Sequence, residues 1–337
     1  MTQLSNAKDT SMKNDTSKFT GIKRMLLAML CFFYITAVSA QSTVTRETVL
    51  YAVKDTTHVY LDKYVDNGVP YKGKRPVFIY VHGGGFATGS RINALQTQYC
   101  KHFAAAGFVV ISIDYRLGLA NNKQPDEEAV MKAVSLGYGD LIDATAFIIS
   151  KANEWNIDTG KIIISGGIAG AVACLMAEYD ICSGGQFSGL LPKGFNYAGV
   201  ISHAGCIITR QDSLTWKKAP CPMLLMHGSV DQLVPFDTKS VEGDFYAGSN
   251  YLHNGFVKSN YPHWFYEEVG ADHIVALKPL QYNFSETDEF IEQFVMNGKK
   301  AIIHTIWTDK KPDSMQDMYN VVPLYITGWD KYEVETK

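Results

Sequence analysis

The chain has 337 residues, 46% of them hydrophobic, with 31 Lys and Arg against 34 Asp and Glu for a formal net charge of −3. With charge so close to balance and no Lys/Arg cluster, neither nucleic acid nor an anionic membrane surface is expected as a partner of the mature protein. The length suits one α/β domain, whose core needs no disulfide staple.

The N-terminus reads as an export signal. Lys23 and Arg24 precede an apolar run from Met25 to Val38, and Val38-Ser39-Ala40 offers the small residues of a cleavage site before Gln41. The run is shorter than the about 20 residues a membrane-spanning helix needs. A signal peptide over 1–40 is therefore expected, with the mature protein periplasmic or secreted. Met12 and Met25 are alternative starts. Five of the six cysteines follow the cleavage site. Cys100, Cys174 and Cys221 lie among apolar residues and read as core, while Cys182 and Cys206 remain a candidate pair. No cysteine or histidine spacing reads as a zinc site, and no metal or cofactor is expected.

Strand and helix signals then alternate. Val49 to Val53 and His58 to Tyr64 predict an antiparallel hairpin. Val77 to Val81 is a continuous apolar run ending in glycines, the pattern of a buried strand. A helix over Ala94 to Ala105 stops before Gly107, and Phe108 to Ile113 is the next buried strand. A long helical stretch from Glu127 to Trp155 carries a candidate break at Gly137-Tyr138-Gly139. Strand Lys161 to Ser165, helix Ala169 to Tyr179, strands Gly199 to His203, Met223 to His227 and Trp264 to Val269, and an amphipathic helix Glu286 to Met296 complete the series. Cys182 to Asn196 reads as a loop or small lid. This alternation predicts a mostly parallel central sheet with helices on both faces, spanning 41–297. The segment 298–337, with Trp307 and Trp329, is expected to dock on the same domain.

Such sheets carry their sites at the carboxyl ends of strands. Four segments fall there. Val81-His82-Gly83-Gly84-Gly85-Phe86 lets backbone N–H groups approach an anionic oxygen with no Cβ in the way. No Gly-Lys-Ser/Thr follows it, which disfavours a phosphate-binding loop, and His82 reads as scaffold for the turn. Asp231 follows one strand and His273 the next, positions from which an acid orients a general base. Between them and the glycine turn, Gly166-Gly167-Ile168-Ala169-Gly170 has the form of a nucleophile elbow, G-x-S-x-G, with isoleucine where the serine belongs. A sec-butyl group cannot attack a carbonyl. Ser165 lies three residues early and Cys174 about one and a half helical turns late, so neither is expected to replace the hydroxyl. If φ is positive at 168, a β-branched residue there is a steric outlier.

These segments, with Asp114-Tyr115-Arg116-Leu117, resemble the α/β-hydrolases of the carboxylesterase/lipase group that carry an HGGG motif. The chain is especially similar to secreted bacterial esterases, some of which act on acylated polysaccharides. The resemblance covers roughly Val77 to Met296 and implies an α/β-hydrolase fold and Ser-His-Asp acyl transfer on a small-molecule ester or acylated carbohydrate. It implies Asp231 as acid, His273 as base, Gly84, Gly85 and Ala169 as oxyanion-hole donors, and Arg116 as a structural partner of a carboxylate under the site. With Ile168 at the nucleophile position the protein is expected to be inactive or severely impaired, or to be a non-catalytic ester- or glycan-binding relative. A dinucleotide-binding reading rests on Ser165-Gly166-Gly167-Ile168-Ala169-Gly170. It lacks the first glycine of that fingerprint, and Glu178 and Asp180 fall too early for the ribose-binding acid. In a third reading, His273 activates water directly, although Ile168 would occupy the attack position.

Overall fold

The computed structural model describes residues 43–312, 314 and 315. The expected signal peptide and Trp329 lie outside the described residues. Nine strands form one sheet in the order β1-β2-β4-β3-β5-β6-β8-β11-β12. β1 (Val44–Lys54) and β2 (Thr57–Asp66) make the predicted antiparallel hairpin, and β2 pairs antiparallel with β4 (Val109–Ile113). From β4 onward every pairing is parallel: β3 (Arg75–Val81), β5 (Ile157–Gly167), β6 (Gly199–His203), β8 (Met223–Gly228), β11 (His263–Val269) and β12 (Ile302–Thr308).

The period of two along β3 explains the layers. Val77, Ile79 and Val81 join one core, and Phe78 and Tyr80 join the other. Helix α1 (Ala94–Ala105) covers the Phe78 side through Tyr99 and Phe103, together with α5 (Phe284–Phe290), whose last turns run on as a π-helix over Ile291–Met296. Helices α2 (Glu127–Ser150), α3 (Ala169–Ser183) and α4 (Ser249–Ser259) cover the opposite face through Leu141, Leu175 and Phe256. Helix starts follow the local chemistry. Asn93 accepts from the N–H groups of Leu95 and Gln96, and Asp126 from that of Ala129.

Four details differ from the sequence reading. Helix α2 is unbroken at Gly137 and Gly139. A Cβ at either position would press into the ring of Phe86 or Phe187, so the glycines admit aromatic packing rather than end the helix. Helix α3 runs on to Ser183, with Gly184 closing it in the left-handed conformation, so the expected loop starts later. A second sheet, β7 (Cys206–Thr209), β10 (Asp244–Gly248) and β9 (Thr238–Val241), and helix α4 were not anticipated. Residues 302–308 are the edge strand β12, with Trp307 exposed on it.

Cys100, Cys174, Cys182, Cys206 and Cys221 are all buried free thiols. Cys182 is not bridged to Cys206. Its Sγ lies 3.2 Å from Glu178 Oε1.

Candidate active site

Strand β5 ends at Gly167 and helix α3 begins at Ala169, leaving Ile168 alone in the turn. It adopts φ 59 and ψ −123, the strained region in which a β-branched side chain costs about 1–3 kcal/mol. Neighbouring contacts hold it there: its N–H donates to the His203 carbonyl at 3.1 Å, and its carbonyl accepts from Val172 N–H at 3.0 Å. The half-buried side chain packs on Ala204, Ala276 and Leu277. A Cβ on Gly83 would sit 3.2 Å from both Cβ and Cδ1 of Ile168. The isoleucine thus lies between the glycine turn and the segment that carries His273. The turn has not relaxed to suit it.

Val81 leads into the glycine turn. Gly84 has φ 107, and any Cβ there would collide with the Thr88 carbonyl, so only glycine fits. Ala87 and Thr88 both donate to the Gly84 carbonyl at 3.1 Å, closing the turn. Among the described residues no backbone carbonyl accepts from the N–H of Gly84 or Gly85. Ala169, first in its helix, has no intrahelical acceptor for its own. His82 is scaffold. Its Nδ1 lies 2.7 Å from the Gly83 carbonyl, its ring stacks on Tyr115 at 4.3 Å, and Tyr115 Oη donates to the His82 carbonyl at 3.0 Å. Burial takes its pKa from 6.5 down to about 4, against the opposing pull of that carbonyl.

The candidate acid and base, Asp231 and His273, follow β8 and β11. His273 opens a 3₁₀ turn over His273–Ala276, and its Nδ1 donates to Asp231 Oδ2 at 2.6 Å. Both residues are buried. Asp231 Oδ1 accepts from the N–H groups of Leu233 at 2.8 Å and Val234 at 3.0 Å. Burial alone would raise the Asp231 pKa, but hydrogen bonds from His227 and His273 outweigh it and hold the carboxyl well below its usual range. With Nδ1–H committed to Asp231, Nε2 of His273 is the acceptor nitrogen. It is buried and has no partner among the described residues. A base in this state lacks only the hydroxyl it would deprotonate.

The remaining candidates fall as follows. Arg116 forks onto Asp140 of α2, with Nη2 2.6 Å from Oδ1 and Nε 3.0 Å from Oδ2, while the Arg116 backbone N–H donates to Oδ2 at 2.8 Å. Ser165 is fully buried within β5. Cys174 is buried in α3, and burial pushes its thiol pKa well up, which keeps it protonated. Glu178 is engaged by Cys221 N–H at 2.7 Å and Asp180 by Phe187 N–H at 3.2 Å, so neither faces a nucleotide ribose. The sequence reading missed His227, whose Nε2 lies 3.3 Å from Asp231 Oδ2. Its place four residues before the acid was the available signal.

Comparison with known proteins bears on the fold. A sequence-family model described as BD-FAE matches residues 61–180. The fold is that of the α/β-hydrolases. Among curated relatives, a medium-chain fatty acyl-CoA hydrolase precursor of Anas platyrhynchos is 30% identical over 117 residues, 34% of this chain and 20% of that protein. Esterase LipI of Mycobacterium tuberculosis is 28% identical over 110 residues, 32% of this chain and 31% of its own. The chain thus spans under a third of the length of these two relatives. Among solved structures, Thermogutta terrifontis esterase 2 phosphoramylated by tabun superposes with a TM-score of 0.55 at 21% identity, over 74% of this chain and 94% of that one. The apo form of the same esterase gives 0.55 at 20% identity, over 76% and 96%. At such identity the likeness concerns the fold.

Proposed function

We propose that this chain is an exported carboxylic-ester-binding protein built on an esterase framework, with turnover lost at Ile168. The carrying observation is the intact His273–Asp231 pair. Its Nε2 is buried and unpartnered, and a side chain without a lone pair stands at the elbow position. In the corresponding acyl transfer, a hydroxyl at 168 would give its proton to His273 Nε2 and attack the ester carbonyl. Gly84, Gly85 and Ala169 would receive the developing oxyanion, and Asp231 would hold the imidazolium that forms. Here the first of these steps has no actor. What remains is a polar cradle for the carbonyl oxygen beside an apolar wall. This suits a short acyl ester or the acetyl group of a sugar, bound and released unchanged.

The protein as it stands should therefore bind short-chain esters in calorimetric titration, with the intact ester recovered at the end. His273→Ala and Gly84→Ala should each weaken that binding. Steady hydrolysis well above the buffer rate, lost on His273→Ala, would instead support water activation by His273 and sink the binding reading. Export is tested by N-terminal sequencing from the native host. A mature start near Gln41 is expected, and a soluble cytoplasmic product retaining Met25 to Val38 would contradict it.

A further inference from the structure

The acid of the pair is contacted by more than the base it orients. His227, at the end of β8, is completely buried. Its Nε2 lies 3.2 Å from the Val234 carbonyl and 3.3 Å from Asp231 Oδ2, the same oxygen that accepts from His273 at 2.6 Å. Both neighbours of Nε2 are acceptors only, so Nε2 must carry a proton. On the other side of the ring, Nδ1 lies 2.8 Å from Oγ of Ser249, the first residue of α4, which is also completely buried. With the proton on Nε2, Nδ1 accepts and Ser249 Oγ–H donates. Asp231 is thereby enclosed by three hydrogen-bond donors, Leu233 and Val234 N–H on Oδ1 and His273 on Oδ2, with the His227 Nε2–H, which bonds the Val234 carbonyl, 3.3 Å from Oδ2. A carboxylate held on both oxygens cannot swing about its Cβ–Cγ bond, and that swing is the motion that would release His273.

We propose that His227 is a positioning residue and Ser249 its anchor. The chain from Ser249 through His227 to Asp231 fixes the carboxylate rotamer that keeps His273 Nε2 facing the elbow. The proposal rests on the ester-site reading for its consequence in catalysis, but its geometry can be tested without catalysis. It also links the small second sheet to the site, since Ser249 directly follows β10.

The test uses the full chain labelled with ¹⁵N-histidine, in which two-bond proton–nitrogen correlations report which ring nitrogen carries the proton. His227 should show a protonated Nε2 and an unprotonated Nδ1, and His273 a slowly exchanging Nδ1–H. His227→Phe should abolish that slow exchange. His227→Gln, which keeps an N–H donor, should restore it in part, and Ser249→Ala should leave His227 protonated on Nε2 but speed exchange of the His273 proton. In an Ile168→Ser background, His227→Phe should lower kcat about 10- to 100-fold, the range for loss of one hydrogen bond to a charged group, with KM little changed. His227→Gln should recover most of that loss. A slow-exchanging His273 proton that survives His227→Phe overturns the proposal, as does a glutamine variant no better than phenylalanine. If His227→Phe does not fold, Ser249→Ala decides, because a His273 proton that exchanges as slowly as in the parent in that variant also overturns it. If Ile168→Ser shows no turnover, the ester reading fails while the spectra still judge the positioning role.

Discussion

Replacing Ile168 by serine is the sharpest perturbation available. The backbone at 168 already has φ 59 and ψ −123, so the substitution needs no rearrangement of the turn. His273 Nε2 is buried and has no partner, and a hydroxyl within reach would satisfy it. Loss of a triad nucleophile costs about 10⁶ in turnover, and an oxyanion hole with binding alone retains about 10³–10⁴ over water. Restoring the hydroxyl should therefore raise kcat/KM by about 10⁴- to 10⁶-fold on short acyl esters. Stability should hardly move. Serine keeps the same positive φ and most of its strain, so relief of the β-branched part is worth about 1 kcal/mol at most, and the lost contacts of a half-buried sec-butyl group with Ala204, Ala276 and Leu277 cost about 1–2 kcal/mol. The two partly offset each other, so Tm should stay within about 2–4 °C.

The assay is release of an acyl group from aryl acetates and from acetylated sugars, measured beside three controls. Ile168→Ala should stay inactive, which separates chemistry from relief of crowding. Ile168→Ser with His273→Ala, and with Asp231→Asn, should each lose most of the restored rate. A serine variant with unchanged Tm and no turnover on any of these esters would refute the reasoning. It would show that the spacing of Nε2, the elbow and the glycine turn has drifted away from reaction geometry.

Three further outcomes follow from the same site and its supports. The protein with Ile168 should give no acyl-enzyme burst and no labelling by serine-directed phosphonates; stoichiometric label mapped by mass spectrometry to Ser165 would identify a nucleophile in the wrong place. Folding stability should fall with acid between about pH 6.5 and 4. Burial lowers His82 and His253 to about 4, His203 to about 3, and His263 as well, so in that window the unfolded chain binds protons that the folded chain excludes, at up to about 1.4 kcal/mol per pH unit for each fully buried histidine. Asp231 works lower down: its depressed carboxyl stabilises the fold above the unfolded value of about 3.9, and the gain is lost only as pH falls below that. Urea midpoints from pH 7.5 to 4.5 check this, and His203→Phe, whose ring nitrogens have no partner to lose among the described residues, should flatten the slope by about a quarter. A slope unchanged in that variant would refute the assignment. Arg116→Ala should cost about 2–4 kcal/mol, because it strands the fully buried Asp140 while Arg116 itself is a quarter exposed; chemical unfolding within 0.5 kcal/mol of the parent would show the pair to be dispensable.

The parallel layers were readable because buried strands such as Val77–Val81 are continuous apolar runs that end in glycine, a pattern that polar loops do not produce. The second sheet was not readable. β9 is four residues, Thr-Lys-Ser-Val, three of them exposed, and neither its composition nor its period distinguishes it from a loop. β12 hid for a related reason: only two of its seven residues are even half-buried, so it pairs at a sheet edge without an apolar signature. The glycines of α2 misled because sequence shows that a Cβ is missing, but not that the ring of Phe86 or Phe187 occupies the space.

The site divides along the same line. Residue type and chain order fixed which groups matter, since an elbow, an acid and a histidine at successive strand ends have few other uses in this fold. Conformation was beyond them. Isoleucine at 168 was compatible with a relaxed turn or a strained one, and its own propensity favours the relaxed turn. The surroundings decide otherwise. The His203 carbonyl takes its N–H, helix α3 starts directly behind it, and Ala204, Ala276 and Leu277 receive its side chain. Sequence exposes a missing functional group at once, because chemistry is local to a residue. Whether the rest of the machinery still stands is a property of contacts between distant segments. Here those contacts keep an elbow conformation, and an imidazole nitrogen and two glycine N–H groups without a partner among the described residues, in place around a side chain that can use none of them.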